Sequence, residues 1–161
     1  MHDQYENRPL TYGSDEYRAA LALRDAVLSR PLGLKLGEQL GDESDEHHLG
    51  FFLNRQLVGV LILSARDPGE IKMRQVAVAE GFRGIGIGTR LVRYAEEYAE
   101  RLGYEKIRLH SRKTAVGFYE KLGYRKVGTE FLEVGIPHYE MVKELKQPLL
   151  TGLARQQRVK V

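Results

Sequence analysis

The chain has 161 residues and no cysteine, a length suited to one domain and a composition that excludes a disulfide framework, a cysteine nucleophile and any thiolate metal site. Hydrophobic residues make up 42% and charged residues 29%, an ordinary balance for a globular protein, and the longest apolar run, Leu57 to Leu63, is far too short for a membrane helix. The formal net charge of +3 is uneven, because Lys146, Arg155, Arg158 and Lys160 stand without an acid in the last sixteen residues.

We therefore expect a domain over residues 1–145 and a basic tail over 146–161. Four charges with no interleaved aromatic residue read as a solvated terminus, not as a nucleic-acid or membrane contact. Charged residues from Asp3 to Arg24 leave no apolar core for a signal peptide. With the lack of cysteine, this places the expected location in the cytosol.

Residues 1–13 show no regular pattern. Ser14 followed by Asp15 and Glu16 is a helix start, and Tyr17, Ala20, Leu21, Val27 and Leu28 approximate a helical face that Pro31 should end. Residues 32–45 predict a loop with one short helix. His48 to Leu53 and Leu57 to Ala65 are β-like runs joined by Asn54-Arg55-Gln56, a hairpin signal. Asp67-Pro68-Gly69 is a turn, and Glu70 to Ala79 the next strand. Gly86 to Leu102 predicts an amphipathic helix with Leu91, Ala95, Tyr98, Ala99 and Leu102 on one face and Gly103 as its cap. Tyr104 to Ser111 is a strand, Thr114 to Leu122 a short helix stopped by Gly123. Tyr124 to Val134 and His138 to Leu145 are strands separated by Gly135-Ile136-Pro137. The order α, β, β, β, α, β, α, β, β predicts a mixed α/β (α+β) fold, with hairpins beside crossover helices.

The densest signal is Gly81-Phe82-Arg83-Gly84-Ile85-Gly86-Ile87-Gly88-Thr89 between a strand and a long helix. Free backbone N–H groups at such a helix start bind phosphate, and glycines let the ligand approach the main chain. A dinucleotide fingerprint would need glycine at Thr89, and a nucleoside-triphosphate loop would need a lysine that this turn lacks.

Arg83-x-x-Gly86-x-Gly88, after a strand ending Val76-Ala77-Val78, resembles the acetyl-coenzyme A site of the GNAT superfamily of N-acetyltransferases. Ala115-Val116-Gly117-Phe118-Tyr119-Glu120-Lys121-Leu122-Gly123-Tyr124 is similar to a second segment of that superfamily, and the resemblance covers roughly residues 46–145. Glu133-x-Gly135-Ile136-Pro137-His138, with Pro31-Leu32-Gly33-Leu34, resembles the ElaA-like subgroup.

The resemblance implies a single-domain, mostly antiparallel mixed sheet, splayed at the cofactor slot and flanked by helices. It implies that main-chain groups of Val76, Ala77 and Val78 bind the pantetheine arm. Arg83, Gly84, Ile85, Gly86, Ile87, Gly88 and Thr89 would cradle the diphosphate. Ala115, Phe118 and Tyr119 complete the coenzyme set, with Tyr119 facing the sulfur. Arg112 stands where the superfamily often has asparagine and is expected to reach a phosphate instead.

The implied activity is acetyl transfer from acetyl-coenzyme A to a primary amine of a small molecule or peptide by direct attack. A non-catalytic coenzyme A sensor is the alternative, and a nucleic-acid adaptor using the tail a third. Attack requires the neutral amine, only about one part in 10³ of a lysine-like group at pH 7. His110, Glu133 and His138 are therefore candidate bases, and Glu70 a further one. No metal is expected, since the five histidines lack ligand spacing and His47-His48 would point to opposite faces of a strand. Glu38, Asp42, Glu43, Asp45 and Glu46 hint at a cationic acceptor, though a solvated loop is the commoner meaning. Edge strands leave a homodimer open.

Overall fold

Ser14 caps the first helix as its position demands: its Oγ accepts from the Tyr17 N–H at 3.2 Å. The computed structural model describes residues 3–146, so the expected basic tail lies outside the described residues from position 147 on. The strands are β1 (Tyr5–Leu10), β2 (His47–Leu53), β3 (Gln56–Asp67), β4 (Glu70–Val78), β5 (Lys106–Arg112), β6 (Arg125–Glu133) and β7 (Ile136–Glu144). The helices are α1 (Asp15–Arg24), α2 (Leu36–Gln39), α3 (Ile87–Arg101) and α4 (Val116–Lys121). Two units can be distinguished: the chain up to Ser64 with Met73–Ala95, and Ala65–Lys72 with the chain from Glu96 on.

In the first unit the strands lie in the order β1-β2-β3-β4, with β1/β2 and β2/β3 antiparallel. The expectation of an irregular segment over residues 1–13 is overturned by β1. Its sequence lacks alternation and contains Pro9, which an outer strand tolerates. Pairing with β2, from Tyr5 opposite Leu53 to Leu10 opposite His48, supplies the order that local propensity does not. The β2–β3 turn is Asn54-Arg55 alone, with φ of 48° and 69°, a two-residue hairpin whose twist matches its strands. Pro31 does not end the first helix. The chain passes through a wide turn over Asp25–Ser29 into a tight one over Arg30–Leu32, where proline needs no N–H partner. Gly33, at φ 71°, stops it.

The apolar face of α1 packs Ala20 with Leu10, Phe52, Val60 and Ala77. Gly59 in β3 is bare for a reason: a Cβ there would lie 3.3 Å from both Ile87 and Leu91. Its absence lets the amino end of α3 sit against the strand.

In the second unit the order is β5-β7-β6, and both ladders are antiparallel. The β6–β7 turn is Val134-Gly135, at φ 46° and 75°, one position earlier than expected, and Ile136 and Pro137 belong to β7. Pro137 precedes the first residue of β7 that pairs with β5, His138 opposite Arg112, so its missing N–H breaks no bond to that strand. Between Val127 and Phe131 four steps of β6 run against two of β7, a bulge holding Gly128 at φ 76°.

The buried face of α3 is rotated from the expected one. Leu91, Val92, Ala95, Glu96 and Ala99 are buried while Leu102 is 47% exposed. Glu96 is tolerated inside because the Tyr124 hydroxyl donates to it at 2.9 Å and the Lys143 ammonium lies at 2.9 Å. Gly103, at φ 91°, caps α3 as expected. The mixed α/β class is what the chain adopts, with each of these ladders antiparallel. No described helix is long and apolar enough to cross a membrane.

Candidate active site

The glycine turn belongs to the first unit. Val76, Ala77 and Val78 close β4, and the chain then turns through Gly84 and Gly86 at φ 79° and 87°. A Cβ at either would meet nothing within 4 Å. Glycine is therefore required by the backbone conformation, and the space over the main chain is open. Gly86 accepts the Arg90 N–H at 3.1 Å, which opens α3 and leaves the preceding N–H groups of Ile87, Gly88 and Thr89 at the positive end of a fifteen-residue helix. The Arg83 Nε donates to the Val78 carbonyl at 3.3 Å, tying the turn to the strand end. Arg90 is diverted from the turn: its guanidinium covers the Tyr5 ring at 4.2 Å.

The second motif lies wholly in the second unit. Tyr119 on α4 is 8% exposed, with Phe118 edge-on at 5.0 Å and Tyr124 at 5.7 Å. Its hydroxyl has no hydrogen-bond partner among the described residues. Burial pushes its phenol up to about 12, so the group is protonated across the physiological range. Ala115 ends the tight turn before α4, and Arg112 ends β5.

Strand register gathers the three base candidates. His110 shares a face with Arg112, two residues on; Arg112 pairs with His138, and His138 pairs with Phe131, two residues before Glu133. The result is a carboxylate between two imidazoles: His110 Nδ1 lies 2.9 Å from Glu133 Oε1, and His138 Nε2 lies 3.5 Å from Glu133 Oε2. A carboxylate only accepts, so His110 Nδ1 carries a proton, and in the neutral ring Nε2 is the nitrogen left with the lone pair. That Nε2 has no partner among the described residues. His138 is buried and donates from Nδ1 to the Ile136 carbonyl at 2.8 Å. Phe131 packs edge-on against His110, with ring centroids 5.1 Å apart.

Glu70 is not part of this cluster; it pairs with Arg108 at 2.9 Å. The acidic loop also departs from expectation. Glu43 is 1% exposed and bound by both Arg24 Nη atoms at 2.7 and 2.8 Å, by Arg74 at 3.1 Å and by the Tyr17 hydroxyl at 2.9 Å. Glu46 takes Arg74 at 2.6 Å and the Ser64 hydroxyl. Two of the five acids thus serve an internal ion network, and neither is free to attract a cation. Arg24 was the legible sign, a charge in phase with Tyr17 and Ala20 on the buried face of α1. No group of three or more His, Asp or Glu among the described residues could hold a metal ion.

A family model described as an acetyltransferase (GNAT) domain matches residues 29–145. The chain belongs to the GNAT acetyltransferase family. Among relatives of this GNAT protein, YyaT of Bacillus subtilis (strain 168) is 30% identical over 125 residues, 71% of this chain and 84% of YyaT. A solved acyl-CoA N-acyltransferase from Pseudomonas aeruginosa superposes with a TM-score of 0.73 at 26% identity, covering 88% of this chain and 99% of the other. Escherichia coli ElaA superposes with a TM-score of 0.75 at 23% identity over 89% of this chain and all of ElaA, a likeness of fold.

Proposed function

We propose that this GNAT protein is an acetyl-coenzyme A-dependent N-acetyltransferase whose acceptor is a primary amine of a small molecule or peptide. The observation that carries the reading is the oriented His110–Glu133 pair: a carboxylate fixes the tautomer, and a partnerless Nε2 is left to take a proton. The open glycine turn fits the diphosphate of the coenzyme, through the main chain from Arg83 to Thr89. Bound acetyl-coenzyme A would supply an activated thioester carbonyl for the amine to attack.

The chain's own groups then divide the work. His110 accepts the proton that the amine must lose, and Glu133 stabilises the imidazolium that results, with His138 on its other oxygen. Main-chain N–H groups near Val78 would receive the charge that develops on a carbonyl oxygen. Tyr119 is a hydrogen-bond donor to the departing sulfur, not an acid. Its phenol, at about 12, stands ~3.5 pK units above an ordinary thiol, so full transfer is uphill by ~5 kcal/mol. Arg112, Ala115 and Phe118 belong to the coenzyme side of the same proposal. A cytosolic setting goes with it, on the strength of the cysteine-free composition.

The test is an acceptor screen that follows thiol release from acetyl-coenzyme A, with polyamines, amino sugars and amino acids in the panel. Release that depends on one acceptor class supports the enzyme. Tight coenzyme binding by calorimetry with no release for any amine would replace it with the sensor.

A further inference from the structure

Gln75 lies inside β4 yet has φ 55°, a left-handed conformation that non-glycine residues rarely hold without an external cause. The side chains around it identify both the distortion and the cause. Arg74 reaches Glu43 at 3.1 Å, while Gln75 Oε1 accepts from the Arg24 Nε at 3.1 Å. Arg24 and Glu43 are themselves joined by two hydrogen bonds of 2.7 and 2.8 Å. Consecutive side chains of a regular strand point to opposite faces, but these two enter one cluster. The strand is therefore bulged at Gln75.

Arg24 is well built to hold such a bulge. It is 2% exposed, and Glu43 is 1% exposed. Both terminal nitrogens are engaged by one carboxylate, which fixes the guanidinium plane and leaves Nε aimed at the Gln75 amide. The carboxylate cannot swing away, because the Tyr17 hydroxyl and Arg74 also bind it, and His48 Nε2 lies 2.9 Å from the Glu43 carbonyl oxygen. Directly after the bulge come Val76, Ala77 and Val78. The strand's far end is pinned separately, where the Ala79 N–H donates to the Val58 carbonyl at 2.8 Å.

We infer that Arg24 is a positioning residue: through Gln75 it holds the bulge in β4 and so sets the direction of the main-chain N–H groups of Val76 to Val78. This deepens the proposed function and rests on it for the role of those N–H groups, though not for the bulge itself. Removing Arg24 would strand Glu43 in the interior and threaten folding, so the test is placed on Gln75. Gln75→Leu removes the acceptor at nearly constant volume. Gln75→Glu keeps an acceptor for the Arg24 Nε.

Two measurements are made on the full-length protein. Amide resonances of Val76, Ala77 and Val78 are recorded without ligand; turnover and acetyl-coenzyme A affinity are measured with the acceptor found by the screen. In Gln75→Leu the three resonances should move and kcat should fall about 10- to 100-fold, the scale of a mis-aimed reacting group, with a distinctly smaller loss of acetyl-coenzyme A affinity, since the same main-chain groups are only part of what holds the coenzyme. Gln75→Glu should recover most of the lost kcat. Unmoved resonances, a Glu variant as poor as the Leu variant, or affinity lost in step with turnover would each overturn the inference. If the native chain transfers no acetyl group to any amine, the proposed function fails alone. The resonances then decide, shifted ones supporting the bulge restraint and static ones ending it.

Discussion

Glu43→Gln removes one charge from the interior while keeping the shape of the side chain. Burial alone would raise the Glu43 carboxyl. The Arg24 guanidinium overrides it by hydrogen bond and charge, Tyr17 and Arg74 add to the effect, and the carboxyl is held at about 2 against an ordinary 4.5. Each pK unit is worth ~1.4 kcal/mol, so ionised Glu43 contributes roughly 3 kcal/mol to the native state. That agrees in scale with the ~3–5 kcal/mol lost when one member of a buried pair is deleted. The sign follows from the depressed value: the unfolded chain binds the proton first, so the contribution is complete above about pH 4.5 and lost as pH falls toward about 2. Urea unfolding followed by circular dichroism, at pH 7 and at pH 3, reads both. We expect Glu43→Gln to be less stable by roughly 3 kcal/mol at pH 7, about 6–12 °C in Tm for a chain of this size. By pH 3 the difference should narrow to roughly half or less. A variant within ~0.5 kcal/mol of the native protein at pH 7, or a difference that does not narrow, would refute the account of the network.

Tyr119→Phe should lower turnover about 10- to 100-fold with coenzyme affinity unchanged by calorimetry; equal losses in both would make Tyr119 a packing residue. The same variant should reduce, by one phenol, the tyrosinate absorbance that titrates near pH 12, because burial places the Tyr119 phenol at about 12 and Tyr17, also raised to about 12, remains. Native stability should correspondingly fall between about pH 10 and 12, where the unfolded phenol ionises first. His110→Gln should cost about 10²- to 10⁴-fold in turnover, and adding Glu133→Gln should cost little more, since the two act as a unit; independent, additive losses would separate them. Gly86→Ala meets no steric neighbour but forces a side chain to φ 87°. The expected cost is ~1–2 kcal/mol, read as a lowered Tm with weaker coenzyme binding; an unchanged Tm would contradict it.

Features written in local chemistry were legible in the sequence. Ser14, Gly103 and Gly123 mark helix ends because caps and left-handed stops need those residue types. The glycine turn was legible for the same reason. What depends on distant partners was not. β1 has no alternation of its own and is a strand because β2 pairs with it. Glutamine carries no sign of positive φ, and Gln75 is bent by a helix residue 51 positions away. Glu133 and His138 were visible as a motif, but their meeting with His110 requires the β5-β7-β6 order, in which the last strand inserts between β5 and its predecessor β6. The acidic loop misled because composition cannot tell a solvated carboxylate from one clasped by two arginines.

The outermost ladders carry one more implication, for how copies of the chain can associate. β6 offers its free side as a kinked rail, broken at Gly128 and studded with Arg125, Lys126 and Glu130, and β1 interrupts its own with Pro9 beside Arg8. A neighbouring molecule that tried to extend either one would find misaligned main-chain groups and a charge to strip of water. Crowding should therefore leave the protein dispersed, and self-association has to be negotiated by side chains.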